Sequence, residues 1–268
     1  MKNQVVLITG GAGGIGSSIA YALKDYKLVI TEYSSEVLNM TVTKMKADGL
    51  NVIGYKNDIT DEASLPALFD FVLQQGELKG VVHTAGVSGS VNDAKIVFDI
   101  NLLGTYNLVE EFYNIAPKDS VIIVLSSMMG HMIPANAQYD KYLLNPKQEG
   151  AFEEIARYID GSADTMYNFT KRGVLLITKD NTMRMGKKGA RIVSISPGVI
   201  MTPMAKKALK EHSEIMKATL DNTPLKRYGA PEDVANAVGF LLSDKANFIT
   251  GTDLIIDGGI TGSRSSAF

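Results

Sequence analysis

The chain has 268 residues, 45% of them hydrophobic, and a formal charge of -2. That is apolar surface enough for one full core, with no basic footprint for nucleic acid or an anionic membrane. Cys 0 and His 3 exclude disulfides, thiolate chemistry and zinc-thiolate sites, and His83, His131 and His212 stand too far apart in sequence to suggest a metal site, so none is expected.

The apolar run after Met1-Lys2-Asn3 stops at Thr9-Gly10. It is too short for a signal peptide or a membrane span, and a cytoplasmic protein is expected. Short β-branched runs then alternate with longer amphipathic segments, the pattern of parallel strands joined by right-handed helical crossovers. Strands are predicted over 5–8, 28–31, 52–55, 80–83, 121–125, 191–195 and 254–256. Being apolar on both faces, they belong in a sheet covered on both sides. The fold class that follows is α/β, a three-layer Rossmann fold with a doubly wound seven-stranded parallel sheet. No linker or repeat divides residues 1–268, so one domain is expected.

The first strand runs into Thr9-Gly10-Gly11-Ala12-Gly13-Gly14-Ile15-Gly16 and a helix predicted over 17–24. Glycines at such a turn admit a pyrophosphate close to the backbone, its charge resting on the helix amides and the positive end of the helix dipole. The second strand ends at Glu32, whose carboxylate suits both hydroxyls of an adenosine ribose and repels a ribose phosphate. With no arginine or lysine in the glycine loop or at Tyr33-Ser34-Ser35, NAD is favoured over NADP. A solvated strand-end acid is the plain alternative for Glu32.

Strand, glycines, helix and acid in this register resemble the short-chain dehydrogenase/reductase family, and the resemblance extends from Val5 to about Gly259. Gly10, Gly14 and Gly16 fit its Thr-Gly-x-x-x-Gly-x-Gly. Gly10, Gly13 and Gly16 equally fit the pattern of a longer, sugar-nucleotide-modifying branch, for whose added substrate domain this chain has little room. The resemblance places Gly10, Gly14, Ile15 and Gly16 on the cofactor. Asp58-Ile59 matches the position whose carboxylate accepts from the adenine amino group while the next residue packs on the ring; a helix cap is the competing role for Asp58. His83-Thr84-Ala85-Gly86 stands where the family usually has Asn-Asn-Ala-Gly. Ala85 and Gly86 let the cofactor lie against the backbone, and His83 is expected to be a hydrogen-bonded structural residue. Asn101, polar on an apolar helix face and so in need of a partner, matches the asparagine that holds a water beside the catalytic lysine.

Ser126-Ser127-Met128-Met129-Gly130 is similar to the family's Ser-Ser-x-x-Gly, which makes Ser127 the group on the substrate oxygen and points Ser126 to the other side. The family's usual spacing then lands on Tyr139-Asp140-Lys141-Tyr142. Four residues beyond those tyrosines stand Leu143 and Pro146 instead of lysine, and a cofactor-facing helix would run into Asn145-Pro146. Tyr167 and Lys171 do share one face, on a helix predicted to open at the pair and run to about Met185. By resemblance Tyr167 is the acid/base. The Lys171 ammonium is expected to lower the phenol's pKa from about 10 and to hold the ribose hydroxyls.

Residues from about 132 to 164 make this interval longer than is usual in the family, with a short helix predicted over 151–159. Mass added there serves as a substrate wall or changes subunit packing. Its position resembles the insertion of the family's bacterial NAD-dependent hydroxysteroid dehydrogenase/carbonyl reductase, where it blocks one helix-to-helix dimer contact; a homodimer or homotetramer is expected here. Pro197-Gly198-Val199-Ile200-Met201-Thr202 is similar to Pro-Gly-x-x-x-Thr, which puts Pro197, Gly198, Ile200 and Thr202 on the nicotinamide. An N-cap is the alternative for Thr202. A substrate lid is expected over about 202–225. The resemblance implies NAD-dependent hydride transfer between a secondary alcohol and a ketone, a small-molecule substrate. Met128, Met129, Met132, Met201 and Met204 suggest a soft apolar wall and a bulky substrate such as a hydroxysteroid or bile acid. A sugar or polyol dehydrogenase and a non-catalytic NAD-sensing protein are the alternatives.

Overall fold

Seven short strands rich in Val and Ile form the centre of the computed structural model, which describes residues 3–264 other than 204, 207, 208 and 210–212. The strands are β1 (Gln4–Thr9), β2 (Lys27–Glu32), β3 (Val52–Lys56), β4 (Glu77–His83), β5 (Val121–Leu125), β6 (Arg191–Pro197) and β7 (Asp253–Ile256). All pair in parallel, in the order β3-β2-β1-β4-β5-β6-β7. The seven predicted strands are therefore all present, each within a few residues of its expected ends.

Parallel strands need crossovers, and the helices supply them: α1 (Gly14–Ala22), α2 (Ser35–Ala47), α3 (Leu65–Gln75), α4 (Ala94–Phe98), α5 (Gly104–Ile115), α6 (Ala137–Leu144), α7 (Ala151–Ala156), α8 (Ala163–Asp180), α9 (Thr182–Lys187), α10 (Ser213–Asn222), α11 (Pro231–Leu242) and α12 (Ile260–Arg264). Successive side chains of a strand face opposite ways. Val5 and Leu7 accordingly join Phe69, Phe112, Val174 and Ile177 under α3, α5 and α8, while Val6 and Ile8 join Ile19, Val234 and Val238 under α1 and α11. Each layer buries one alternate set, which is why these strands carry no polar face.

Three helices differ from expectation. α1 starts at Gly14 and not at Ser17, because the glycine turn itself is the helix start. α8 opens four residues before Tyr167, where the Ser162 hydroxyl accepts from the Thr165 amide and caps it, and it stops at Asp180 with α9 following. α7 stops at Ala156, short of the predicted end, and the chain leaves through Asp160 and Gly161, both at positive φ. The segment between Ser127 and Tyr167 also forms α6, which ends at Leu144, directly before Asn145-Pro146.

α6 and α7 lie on the outer side of α8 and α4. Tyr139 meets Phe169 edge-on at 5.0 Å and Tyr158 at 5.1 Å, and Phe152 meets Phe98 at 5.6 Å. Arg172, the residue after Lys171, grips Asp140 with two hydrogen bonds, Nε to Oδ1 at 2.7 Å and Nη2 to Oδ2 at 2.6 Å. No helix among the described residues is long and apolar enough to cross a membrane.

Candidate active site

In a doubly wound sheet the strand ends diverge where the order reverses, here between β1 and β4, and a crevice opens there. The glycine loop crosses this point. Gly10 has φ +63°, and a Cβ on it would stand 2.7 Å from the Ala85 backbone, so the loop can press against the end of β4 only because the side chain is missing. A Cβ on Gly14 would stand 2.8 Å from Cβ of Thr202, which places the segment after β6 directly over the start of α1.

Beside the loop lies a cavity of about 470 Å³, and Gly10, Glu32, Asp58, Ile59, Ala85 and Gly86 line it. Glu32 stands at the end of β2 with Oε1 accepting from the Tyr33 amide at 2.9 Å. Asp58 Oδ1 accepts from the Thr60 amide and hydroxyl, at 2.9 and 2.7 Å, so the capping role is present alongside its place on the cavity wall. Tyr33, Thr84, Ile96, Asp99 and Ile100 also line the cavity. Sequence reasoning missed these because they reach it from loops, from α4 and from the helical turn after it, with no spacing of their own to mark them. A glycine cradle that Cβ atoms would fill and an adjoining crevice walled by a strand-end carboxylate and isoleucines fit a dinucleotide, its pyrophosphate on the loop and its adenosine beside Glu32 and Ile59. Ile15 packs at the edge of the core under α1 and is not on the cavity wall.

On the far side of the crevice, Gly198 donates its amide to Ile256 O at 2.9 Å, and Ile200 bridges to Gly229. The Thr202 hydroxyl accepts from the Ala205 amide at 3.3 Å, so the N-cap alternative is realised while its methyl lies on Gly14. Of the expected lid, α10 and Pro203, Ala205, Lys206 and Leu209 are described as helical; Met204 and His212 lie outside the described residues. Met128, Met129, Met132 and Met201 are each partly buried.

Ser127, Tyr167 and Lys171 come together where the end of β5 meets the first turns of α8. Ser127 follows β5, accepts from the Met129 amide at 3.2 Å, and lies close enough to the Tyr167 phenol to favour its ionised form. Lys171 is 7% exposed, donates from Nζ to Leu125 O at 2.9 Å, and lies 5.5 Å from the centre of the Tyr167 ring. Burial pushes its ammonium down to about 8. The phenol departs from expectation: burial raises it above the usual tyrosine value, and the nearby Ser127 hydroxyl only partly opposes that. Among the described residues no cation hydrogen-bonds the phenol oxygen, and desolvation of the phenolate dominates.

Ser126, expected to face away, anchors the other partner: its hydroxyl donates to Lys171 O at 2.8 Å. Gly130 lets the serine loop touch α8, since a Cβ there would stand 2.7 Å from the Lys171 carbonyl carbon. Asn101 sits in a π-turn, Asp99–Leu103, between α4 and α5. Its amide is paired at both ends with the Val87 backbone, at 2.8 Å each way, so the side chain latches the loop after β4. His83 is buried and bonded at both nitrogens, as a structural residue should be. Tyr139 is buried and donates to Pro134 O, a packing role far from proton chemistry.

A parallel sheet with a glycine-lined crevice at its switch point defines a class, the doubly wound proteins built to bind a nucleotide cofactor. Residues 4–140 match the family model described as short chain dehydrogenase, and residues 152–261 match one described as Enoyl-(Acyl carrier protein) reductase, the gap running from within α6 to the start of α7. The chain belongs to the short-chain dehydrogenase/reductase family. It is 29% identical to the 7alpha-hydroxysteroid dehydrogenase of Bacteroides fragilis, over 97% of this chain and 95% of that one. It is 26% identical to Glucose 1-dehydrogenase 2 of Bacillus subtilis, over 97% and 96%. Among solved structures it is similar, at a TM-score of 0.77 and 25% identity over 96% of this chain and 94% of the other, to a 7 alpha-hydroxysteroid dehydrogenase complexed with NADH and 7-oxo glycochenodeoxycholic acid.

Proposed function

We propose that the protein is an NAD-dependent alcohol dehydrogenase/ketone reductase acting on a bulky apolar secondary alcohol such as a hydroxysteroid or bile acid. The observation that carries this reading is the meeting of Ser127, Tyr167 and Lys171 at the rim of the glycine-lined crevice. The nicotinamide, when bound, supplies or accepts the hydride. Ser127 holds the substrate oxygen, and Tyr167 takes the alcohol proton or returns it to the carbonyl. Lys171 steadies the phenolate and the ribose hydroxyls. The Asn101 turn supports a water path to Lys171, and Gly10, Gly14, Gly16, Pro197, Gly198, Ile200 and Thr202 seat the cofactor together with the backbone of Ile15, whose side chain packs at the edge of the core. Because burial raises the phenol, its ionisation depends on the positive charge of the oxidised ring. Preference for NAD rests on Glu32, with no cation beside it in sequence.

The substrate class is supported by the partly buried methionines after Ser127 and by likeness to hydroxysteroid dehydrogenases. The likeness to a glucose dehydrogenase favours a second reading, a sugar or polyol as substrate. We place the enzyme in the cytoplasm as a homodimer or homotetramer, with residues 132–164 and 202–225 shaping the substrate side. A panel of steroid, bile-acid and polyol alcohols, assayed with NAD by NADH absorbance, tests the function. Turnover of bile acids or steroids supports the first reading, turnover of polyols alone supports the second, and no turnover with retained NADH binding points to a non-catalytic sensor. Tyr167→Phe is expected to lose activity by orders of magnitude while binding NADH; near-normal turnover in that variant would remove Tyr167 from its role.

A further inference from the structure

The imidazole of His83 lies 2% exposed at the end of β4, where the proton chemistry assigned above makes no use of it. Nδ1 is 2.7 Å from Thr9 Oγ1 and Nε2 is 2.9 Å from Thr105 Oγ1. Neither distance says which nitrogen carries hydrogen. A third bond does: Thr105 Oγ1 donates to Asn101 O at 2.7 Å. A hydroxyl has a single hydrogen, and that one is committed to the carbonyl, so toward the ring Thr105 can only accept. Nε2 therefore bears the hydrogen, and Nδ1 accepts from Thr9. The Thr9 oxygen in turn receives the Ala85 amide at 3.4 Å. Every bond from Ala85 N through Thr9, His83 and Thr105 to Asn101 O points the same way, an arrangement in which each bond polarises the next.

The two ends of this relay are functional places. Thr9 directly precedes Gly10, and Ala85 lines the cavity. Asn101 occupies the π-turn, a helix irregularity that recurs at functional sites. Both Asn101 and Lys171 stand around Gly86, where a Cβ would find Asn101 Oδ1 at 3.1 Å and Lys171 Nζ at 3.8 Å. The ring stays neutral, since burial and the Lys171 charge together press its pKa to about 3.

We propose that His83, as a neutral Nε2-H imidazole, is a positioning residue that holds the glycine loop and the Asn101 turn in one register, so that a dinucleotide seated on the loop also fixes the Asn101 turn around Gly86. The proposal rests on the reading of the glycine loop as a dinucleotide site. Its consequence is that the hydroxyl of Thr105, at the far end of the relay from that loop, affects cofactor binding.

Nitrogen NMR on protein with labelled histidine, assigned against a His83→Asn variant, reads the ring directly. His83 is expected in the Nε2-H form without titrating between about pH 5 and 8. An Nδ1-H form, or a titration in that range, overturns the proposal. In Thr105→Val the buried Nε2-H has no acceptor, so the proton is expected to move to Nδ1, where Thr9 Oγ1 accepts it. The NADH dissociation constant, measured by fluorescence, is expected to rise about ten-fold, and Thr105→Ser is expected to restore both readings. A lowered melting temperature with unchanged NADH affinity in Thr105→Val means a purely structural role and overturns the coupling. Thr9→Val is the second variant: it should weaken NADH binding similarly but leave the hydrogen on Nε2. If the unaltered protein shows the Nε2-H ring and binds no NADH, the dinucleotide reading fails and takes the coupling with it.

Discussion

Lys171 carries its charge into a place only 7% exposed, and its pKa falls from 10.5 to about 8 as a result. Between those values the unfolded chain holds a proton that the folded chain has released, so stability rises with pH across that window, and below it the full cost of burying the charge remains. Lys171→Met keeps the length of the side chain and removes the charge. At neutral pH it is expected to raise unfolding free energy by about 2 kcal/mol, the desolvation less the lost bond to Leu125, while abolishing turnover; urea unfolding at neutral and alkaline pH checks both magnitude and sign. Glu32→Ala is expected to erode discrimination between NAD and NADP, measured as the ratio of their kcat/KM values. That Tyr167 and Lys171 share one helix was legible in sequence, because a four-residue spacing is a local fact. The raised phenol, the bond from Ser126 to Lys171 and the His83 relay were not, since each depends on residues brought together from distant strands and helices.

The helix that carries the pair is held from both sides. Toward the sheet, Gly130 permits contact with the Lys171 backbone. Gly130→Ala is expected to push the serine loop off α8 and lower kcat about a hundred-fold, the scale of a 1 Å misplacement, with NADH binding retained; stopped-flow turnover and fluorescence titration separate the two. Away from the sheet, Arg172 and Asp140 are each mostly buried, with side chains 13% and 17% exposed. Asp140→Ala strands the guanidinium and is expected to cost about 2 kcal/mol in urea unfolding. At this scale the strands were readable because two-sided burial imposes continuous apolar runs. Helix ends were less so: α8 begins where Ser162 caps it, a choice made by one hydroxyl, and α6 was hidden behind the tyrosines that made it look like a misplaced active-site motif.

Across the whole molecule, the crevice is walled by the ends of β1, β2, β3 and β4 and by α4 with the π-turn that follows it. A ligand bridging so many elements should stabilise all of them together. NADH at a hundred times its dissociation constant contributes about 2.7 kcal/mol, which for a chain of this size raises the melting temperature by about 5 °C or more. NADPH at the same concentration is expected to raise it less if Glu32 repels the extra phosphate, and equal shifts would remove the NAD preference. The alternation of strands and helices made the sheet foreseeable, and the glycine turn located its switch point. The way α6 and α7 fold back on α4 and α8 was not foreseeable, because their apolar positions fix that a face is buried but not which face receives it. The seat of α1 has a consequence for the order in which the protein is made. Ile19 and Ala20 of α1 pack with Val234, Ala235 and Val238 of α11, on the face that also covers Val6 and Ile8. A ribosome that has not yet released residues 231–242 has therefore delivered the glycine loop without the helix that closes the layer beneath it, and the cofactor crevice can become rigid only after that helix has emerged.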